Sequence, residues 1–125
     1  MKPILSIFLT LIVASLEAIA EEAPKDEAFI LVTLLEATQS NDLIKFESVC
    51  DEVVKTVMTT ETLKQVSEQL SPLMKDGYNK VYMGVLNRGM INTYYWKLDF
   101  DKESTPDMLA ELSIKDGRVT GFFIR

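Results

Sequence analysis

The hydrophobic period of this chain changes once, at Gly77, and that change limits its fold more than any other feature. Before Gly77 apolar residues recur every three or four positions. After it they alternate. The first pattern is that of helices with one buried stripe, the second that of strands with one buried face. Asp26 to Ser40 is helical, with Ala28, Leu31, Val32 and Leu35 on one side and Ile30, Leu34 and Ala37 widening it. Ser40, Asn41 and Asp42 are cap-type residues before a second, shorter helix over Leu43 to Cys50. Asp51 to Met58 is ambiguous, because Val53, Val54 and Val57 suit a helical turn or an extended piece. Thr59 and Thr60 offer an N-cap to a third helix carrying Leu63, Val66, Leu70, Leu73 and Met74. Pro72 is expected to distort or end it, and Gly77 to stop it.

Four strands follow. Tyr78 to Asn87 carries Val81, Met83 and Val85 on one face and Tyr78, Tyr82 and Leu86 on the other. Asn87-Arg88-Gly89 turns the chain. Ile91 to Phe100 is the clearest alternation, with Tyr94, Trp96, Leu98 and Phe100 against Thr93, Tyr95, Lys97 and Asp99. After the polar loop Asp101 to Asp107, Met108 to Lys115 presents Met108, Ala110, Leu112 and Ile114 to one side. Asp116-Gly117 is a type I′ hairpin dipeptide, and Arg118 to Arg125 is the last strand. Short connections imply antiparallel pairing. The expected fold class is α+β: three N-terminal helices packed on a curved four-stranded antiparallel sheet.

The N-terminus has the three parts of a secretory leader: Lys2, the apolar run Ile4 to Leu16, and Ala18-Ile19-Ala20 as a cleavage site. The run is shorter than the about 20 residues a bilayer-spanning helix needs. An uncleaved anchor is the alternative. The expected organisation is a signal peptide over 1–20 and a single domain over 21–125, periplasmic or secreted after cleavage behind Ala20. Loss of Lys2 and Glu17 leaves the net charge of −6 unchanged. That acidic balance argues against nucleic acid, and against a membrane surface once the leader is gone.

The chain has one cysteine and no histidine. Cys50, beside Val49 on an apolar stripe, is expected to be buried, and no internal disulfide is possible. The missing histidine removes Ser-His-Asp and Cys-His nucleophilic catalysis and the commonest zinc ligand. Asp99, Asp101, Glu103 and Asp107 cluster around one loop but fit no calcium-loop spacing. Neither metal nor cofactor is expected. Asp99 and Glu111 alternate with inward residues and should face solvent. The strand glycines Gly84 and Gly121 suggest bulges or tight curvature.

Phe46-Glu47-Ser48-Val49, Met58-Thr59-Thr60-Glu61-Thr62-Leu63, the helix running into Asp76-Gly77, and the C-terminal Leu112 to Arg125 together resemble the nuclear transport factor 2-like superfamily. Its cystatin-like cone of helices is closed by a curved antiparallel sheet. Within it they are most similar to a bacterial exported domain family of unknown function, often found in front of hydrolase domains. The resemblance implies a cone that holds a small apolar ligand, and in some members an Asp or Tyr that moves a proton. Candidate pocket residues are Tyr82, Tyr94, Trp96, Phe100 and Phe123, although such aromatics also simply fill cores. No catalytic residue is carried over. Tyr78, Tyr95 and Phe122, with Tyr82, are candidates for an interface on the open sheet face, with a homodimer as its preferred form. The expected function is an exported, non-enzymatic binding or assembly module. The alternatives are a small-molecule isomerase or dehydratase using a pocket tyrosine, and an accessory acting in trans on an exported hydrolase.

Overall fold

The computed structural model describes residues 22–125; the leader assigned to 1–20 lies outside them. Four helices, α1 (Lys25–Ser40), α2 (Leu43–Glu47), α3 (Glu52–Val57) and α4 (Thr60–Lys75), precede four strands, β1 (Tyr78–Arg88), β2 (Ile91–Phe100), β3 (Met108–Lys115) and β4 (Arg118–Ile124). The sheet is antiparallel throughout, in the order β1-β2-β3-β4. This is the α+β arrangement expected, with one helix more.

The extra helix is the ambiguous segment. Asp51 caps it by accepting a hydrogen bond from Val54 N at 3.0 Å. Val53 and Val57 stay exposed, and α3 buries none of its residues. Only Val54 is half-buried against the core, so the segment carried a weak burial signal. Asp42 and Thr59 cap α2 and α4 in the same way, accepting from Lys45 N and Thr62 N. The second helix ends at Glu47, short of the Cys50 expected. The fourth runs through Pro72 to Lys75 and stops at Gly77, whose φ of +102° suits glycine.

The core lies between the helices and one face of the sheet. Leu31, Leu34 and Leu35 of α1, Phe46 of α2, and Leu63, Leu70 and Met74 of α4 meet Trp96, Leu98, Phe100, Ala110 and Leu112. Fully burying each such side chain contributes about 1.5–3 kcal/mol. The two threonines buried in α1 satisfy their hydroxyls within the helix, Thr33 on Phe29 O and Thr38 on Leu34 O. Cys50 is fully buried as expected, its thiol donating to Phe46 O at 3.1 Å.

Two bulges set the faces of the outer strands. In β1, Tyr82 pairs with Trp96 and Gly84 with Tyr95, so Met83 is the extra residue. Gly84 sits there at a φ of +133°. In β4, Gly121 pairs with Ser113 and Val119 with Ile114, so Thr120 is extra. Each bulge inverts the inside–outside sense of the strand beyond it.

Candidate functional site

The core face of the sheet gathers Tyr82, Tyr94, Trp96 and Phe100, four of the five candidate pocket residues. Tyr82 stands opposite Trp96 across the β1–β2 ladder, with ring centroids 5.4 Å apart. Tyr94 lies 6.3 Å from Trp96 on the same strand face. The Tyr94 hydroxyl donates to Glu27 of α1 at 3.2 Å. Burial, followed by the Glu27 carboxylate, pushes this phenol's pKa above its ordinary value. It therefore stays a neutral donor. Trp96 is 2% exposed and Phe100 5%. These rings fill the interior rather than line a space.

The fifth, Phe123, stands apart from them. It pairs with Glu111 on the outer face, 59% exposed, with the Arg125 guanidinium 5.4 Å from its ring centroid, and it is one of the residues lining the groove described below. Phe122, assigned to the interface, instead turns inward and stands 6.2 Å from Phe46. Simple alternation from the buried Val119 would put Gly121 and Phe123 inside; the extra residue Thr120 reverses the pair. Tyr78 is a second correction. It pairs with Phe100 on the core face, half-buried, with centroids 6.2 Å apart, and does not reach the outer face. Burial and then Glu36 raise its pKa. Tyr95 does lie on the outer face, beside Glu111.

One of the spaces that the fold leaves is a groove of about 240 Å³ between α4 and the β3–β4 half of the sheet. Phe46 and Phe122 are part of its wall, joined by Met58, by Leu63, Val66 and Leu70 from α4, and by Met108, Phe123 and Ile124 from the sheet. Two polar side chains join them. Thr38 already gives its proton to Leu34 O, and Gln69 is exposed. No ionisable side chain lines this groove. Its α4 wall was visible in the sequence as a helical stripe. On its sheet wall Met108 and Phe123 were visible as well, while the β4 bulge hid Phe122 and Ile124.

A wider, more open cleft of about 540 Å³ lies between the start of α1 and the β3–β4 hairpin, with Asp26, Glu27 and Arg118 among its residues. The Arg118 guanidinium is engaged there on Cys50 O at 3.1 Å. Asp99 lies on the outer face as expected, opposite Asn79. Glu111 also lies there, but its side chain is only 20% exposed and forms an ion pair with Arg125 at 2.6 Å. Among the described residues no three His, Cys, Asp or Glu side chains come together to hold a metal ion.

No protein-family model and no curated protein matches the chain. Solved structures similar to it include two from bacteria. One, a protein assigned as a polyketide cyclase from Sinorhizobium meliloti, is 14% identical over 82% of this chain and 95% of its own, with a TM-score of 0.44. The other, an uncharacterized cystatin-fold protein from Novosphingobium aromaticivorans, is 10% identical over 83% of this chain and 99% of its own, again with a TM-score of 0.44. These similarities concern the fold and say nothing of activity.

Proposed function

We propose that the chain is an exported, non-enzymatic binding module that holds a small apolar ligand in the groove between α4 and β4. The observation behind this reading is the lining: apolar side chains from two helices and two strands, with no acid, base or nucleophile among them. A proton-transfer or acyl-transfer site needs such a group within hydrogen-bond reach of its substrate. The isomerase alternative would rely on Tyr82 or Tyr94, but the Tyr94 hydroxyl is held by Glu27, and both rings pack against Trp96. Export rests on the leader of residues 1–20, and the kinship with an exported domain family rests on the C-terminal Leu112 to Arg125.

At roughly 30 Å³ for each water-sized group, the groove has room for about eight methylenes. Each methylene that enters should add up to about 0.8 kcal/mol. Titrating the purified protein with straight-chain alcohols of increasing length is expected to show affinity rising to about eight carbons and then levelling. Val66→Phe, which fills the groove from α4, should abolish the rise. A protein that binds none of the series, or binds it equally well with Val66→Phe, would overturn the reading.

A further inference from the structure

The trough beside α4 does not end where its apolar lining ends. Leu63, Val66 and Leu70 form the helix wall of the groove, and the next residue of that stripe, Leu73, lines a second cleft of about 470 Å³. Met108 belongs to both, so the two meet at the start of β3. The strand side continues in the same way. Ile124 lines the groove, and Arg125 lines the second cleft. A helix rises about 1.5 Å per residue, so the joint trough follows about 15 Å of α4 from Leu63 to Leu73. Its chemistry changes along that length. The groove carries no ionisable side chain, whereas Ser104, Thr105, Asp107 and Arg125 share the second cleft.

We infer that the second cleft is a head-group site for an amphiphile with an uncharged head of several hydroxyls, such as a sugar or glyceryl group, an assignment that rests on the tail-binding reading of the groove. Ser104, Thr105 and Asp107 come from the loop between β2 and β3, and no other described residue hydrogen-bonds to their side chains. Arg125 completes the set. Its guanidinium reaches Glu111 through Nη2 at 2.6 Å, is 64% exposed, and keeps further N–H donors. A guanidinium only donates and a carboxylate only accepts. A hydroxyl does both, so a polyhydroxyl head can accept from Arg125 and donate to Asp107. Charged heads gain less. An anion meets Asp107, the Glu111 partner of Arg125 and a chain of net −6. A cation's attraction to Asp107 is offset by Arg125 in the same cleft.

The backbone holds these groups in place. Leu109 N donates to Arg125 O at 2.7 Å and Arg125 N to Leu109 O at 2.9 Å, which pins the Arg125 end of β4 to the start of β3 beside Met108. Thr105 N donates to Lys102 O at 3.0 Å and closes a turn in the loop, and Pro106 fixes its own φ just before Asp107. The Arg125 guanidinium also lies 5.4 Å from the centroid of the Phe123 ring, which lines the groove. Head and tail surfaces therefore adjoin along β4. At about 30 Å³ for each water-sized group the cleft has room for about fifteen, against about twelve non-hydrogen atoms in a hexosyl head.

Calorimetric titration of the purified protein with octan-1-ol, octyl glucoside, octanoate and octylammonium, each below its micelle-forming concentration, tests the assignment. Octyl glucoside is expected to bind about ten-fold or more tighter than octanol, as two net hydrogen bonds would give. Octanoate and octylammonium should bind no tighter than octanol. Asp107→Ala and Arg125→Ala should each weaken glucoside binding by about three-fold or more. Both should leave octanol binding unchanged, which also shows that the variants fold with the groove intact. Octanol binding with no gain for the glucoside would overturn the head-group site and leave the groove reading standing. So would a glucoside preference that both variants keep, or an ionised probe that binds tightest. Binding of no probe would overturn both.

Discussion

Cys50 shows how little chemistry a buried thiol offers. It is fully enclosed, it donates to Phe46 O, and Asp51 and Glu47 flank it. Burial first, then those two carboxylates, raise its pKa from 9.0 to about 11. At neutral pH it is a thiol, a poor nucleophile and a poor target for oxidation. The same shift ties stability to pH. The unfolded chain ionises this group near 9 and the folded chain only near 11, so the protonated thiol's contribution is complete below about pH 9. It is lost as pH rises to 11, by about 2–3 kcal/mol in total. Urea unfolding at pH 8 and at pH 10.5 should show the natural protein losing more stability than Cys50→Ala. Tyr78 and Tyr94 shift in the same direction but are common to both proteins and cancel in the comparison. Parallel losses would mean that the thiol is not held against ionisation. Asp51 works with the opposite sign. Its bond from Val54 N lowers its pKa, and its stabilising effect is lost as pH falls.

Among the elements, the junction of α4 and β1 has the least freedom. Gly77 ends the helix at a φ of +102°, and a Cβ there would run into the Asp101 carboxylate. Asp101 N donates back to Gly77 O at 3.0 Å, fastening the β2 end to the same turn. Gly77→Ala should therefore destabilise by about 1–2 kcal/mol from the backbone alone, with the Asp101 collision added. Gly84 has a similar φ of +133° with open space where a Cβ would stand. In urea unfolding Gly77→Ala should be the more damaging of the two, and equal losses would show that Asp101 simply swings aside. Gly77 was legible because a helical period ends there and a strand period begins. The β2 alternation was legible for a related reason: a central strand with no bulge keeps one face inside from Tyr94 to Phe100. The outer strands were not. One extra residue, Met83 or Thr120, reverses every side chain beyond it, and nothing in an apolar pair such as Phe122-Phe123 marks which one lies inside. The groove was half legible for that reason, since its α4 stripe could be read while Phe122 and Ile124 depended on the bulge.

Across the whole molecule, stability should be distributed unevenly, and α3 should open first. The core runs from α1 and α4 through Trp96, Leu98 and Leu112. By contrast α3 buries none of its residues. Backbone bonds tie its approach to β4: Asp51 N to Val119 O and Val119 N to Val49 O, each at 2.9 Å. These hold the start of the helix, and its last turn has only the half-buried Val54 as apolar support. Local opening free energies in such a domain run from near zero to the global value of about 5–15 kcal/mol. In hydrogen exchange near neutral pH, amides of Val54 to Val57 should exchange close to the unprotected rate. Those of Trp96, Leu98, Ala110 and Leu112 should be slower by about a thousand-fold or more. Protection of α3 equal to that of β2 would contradict this distribution, because only a contact over Val53 and Val57 could supply it.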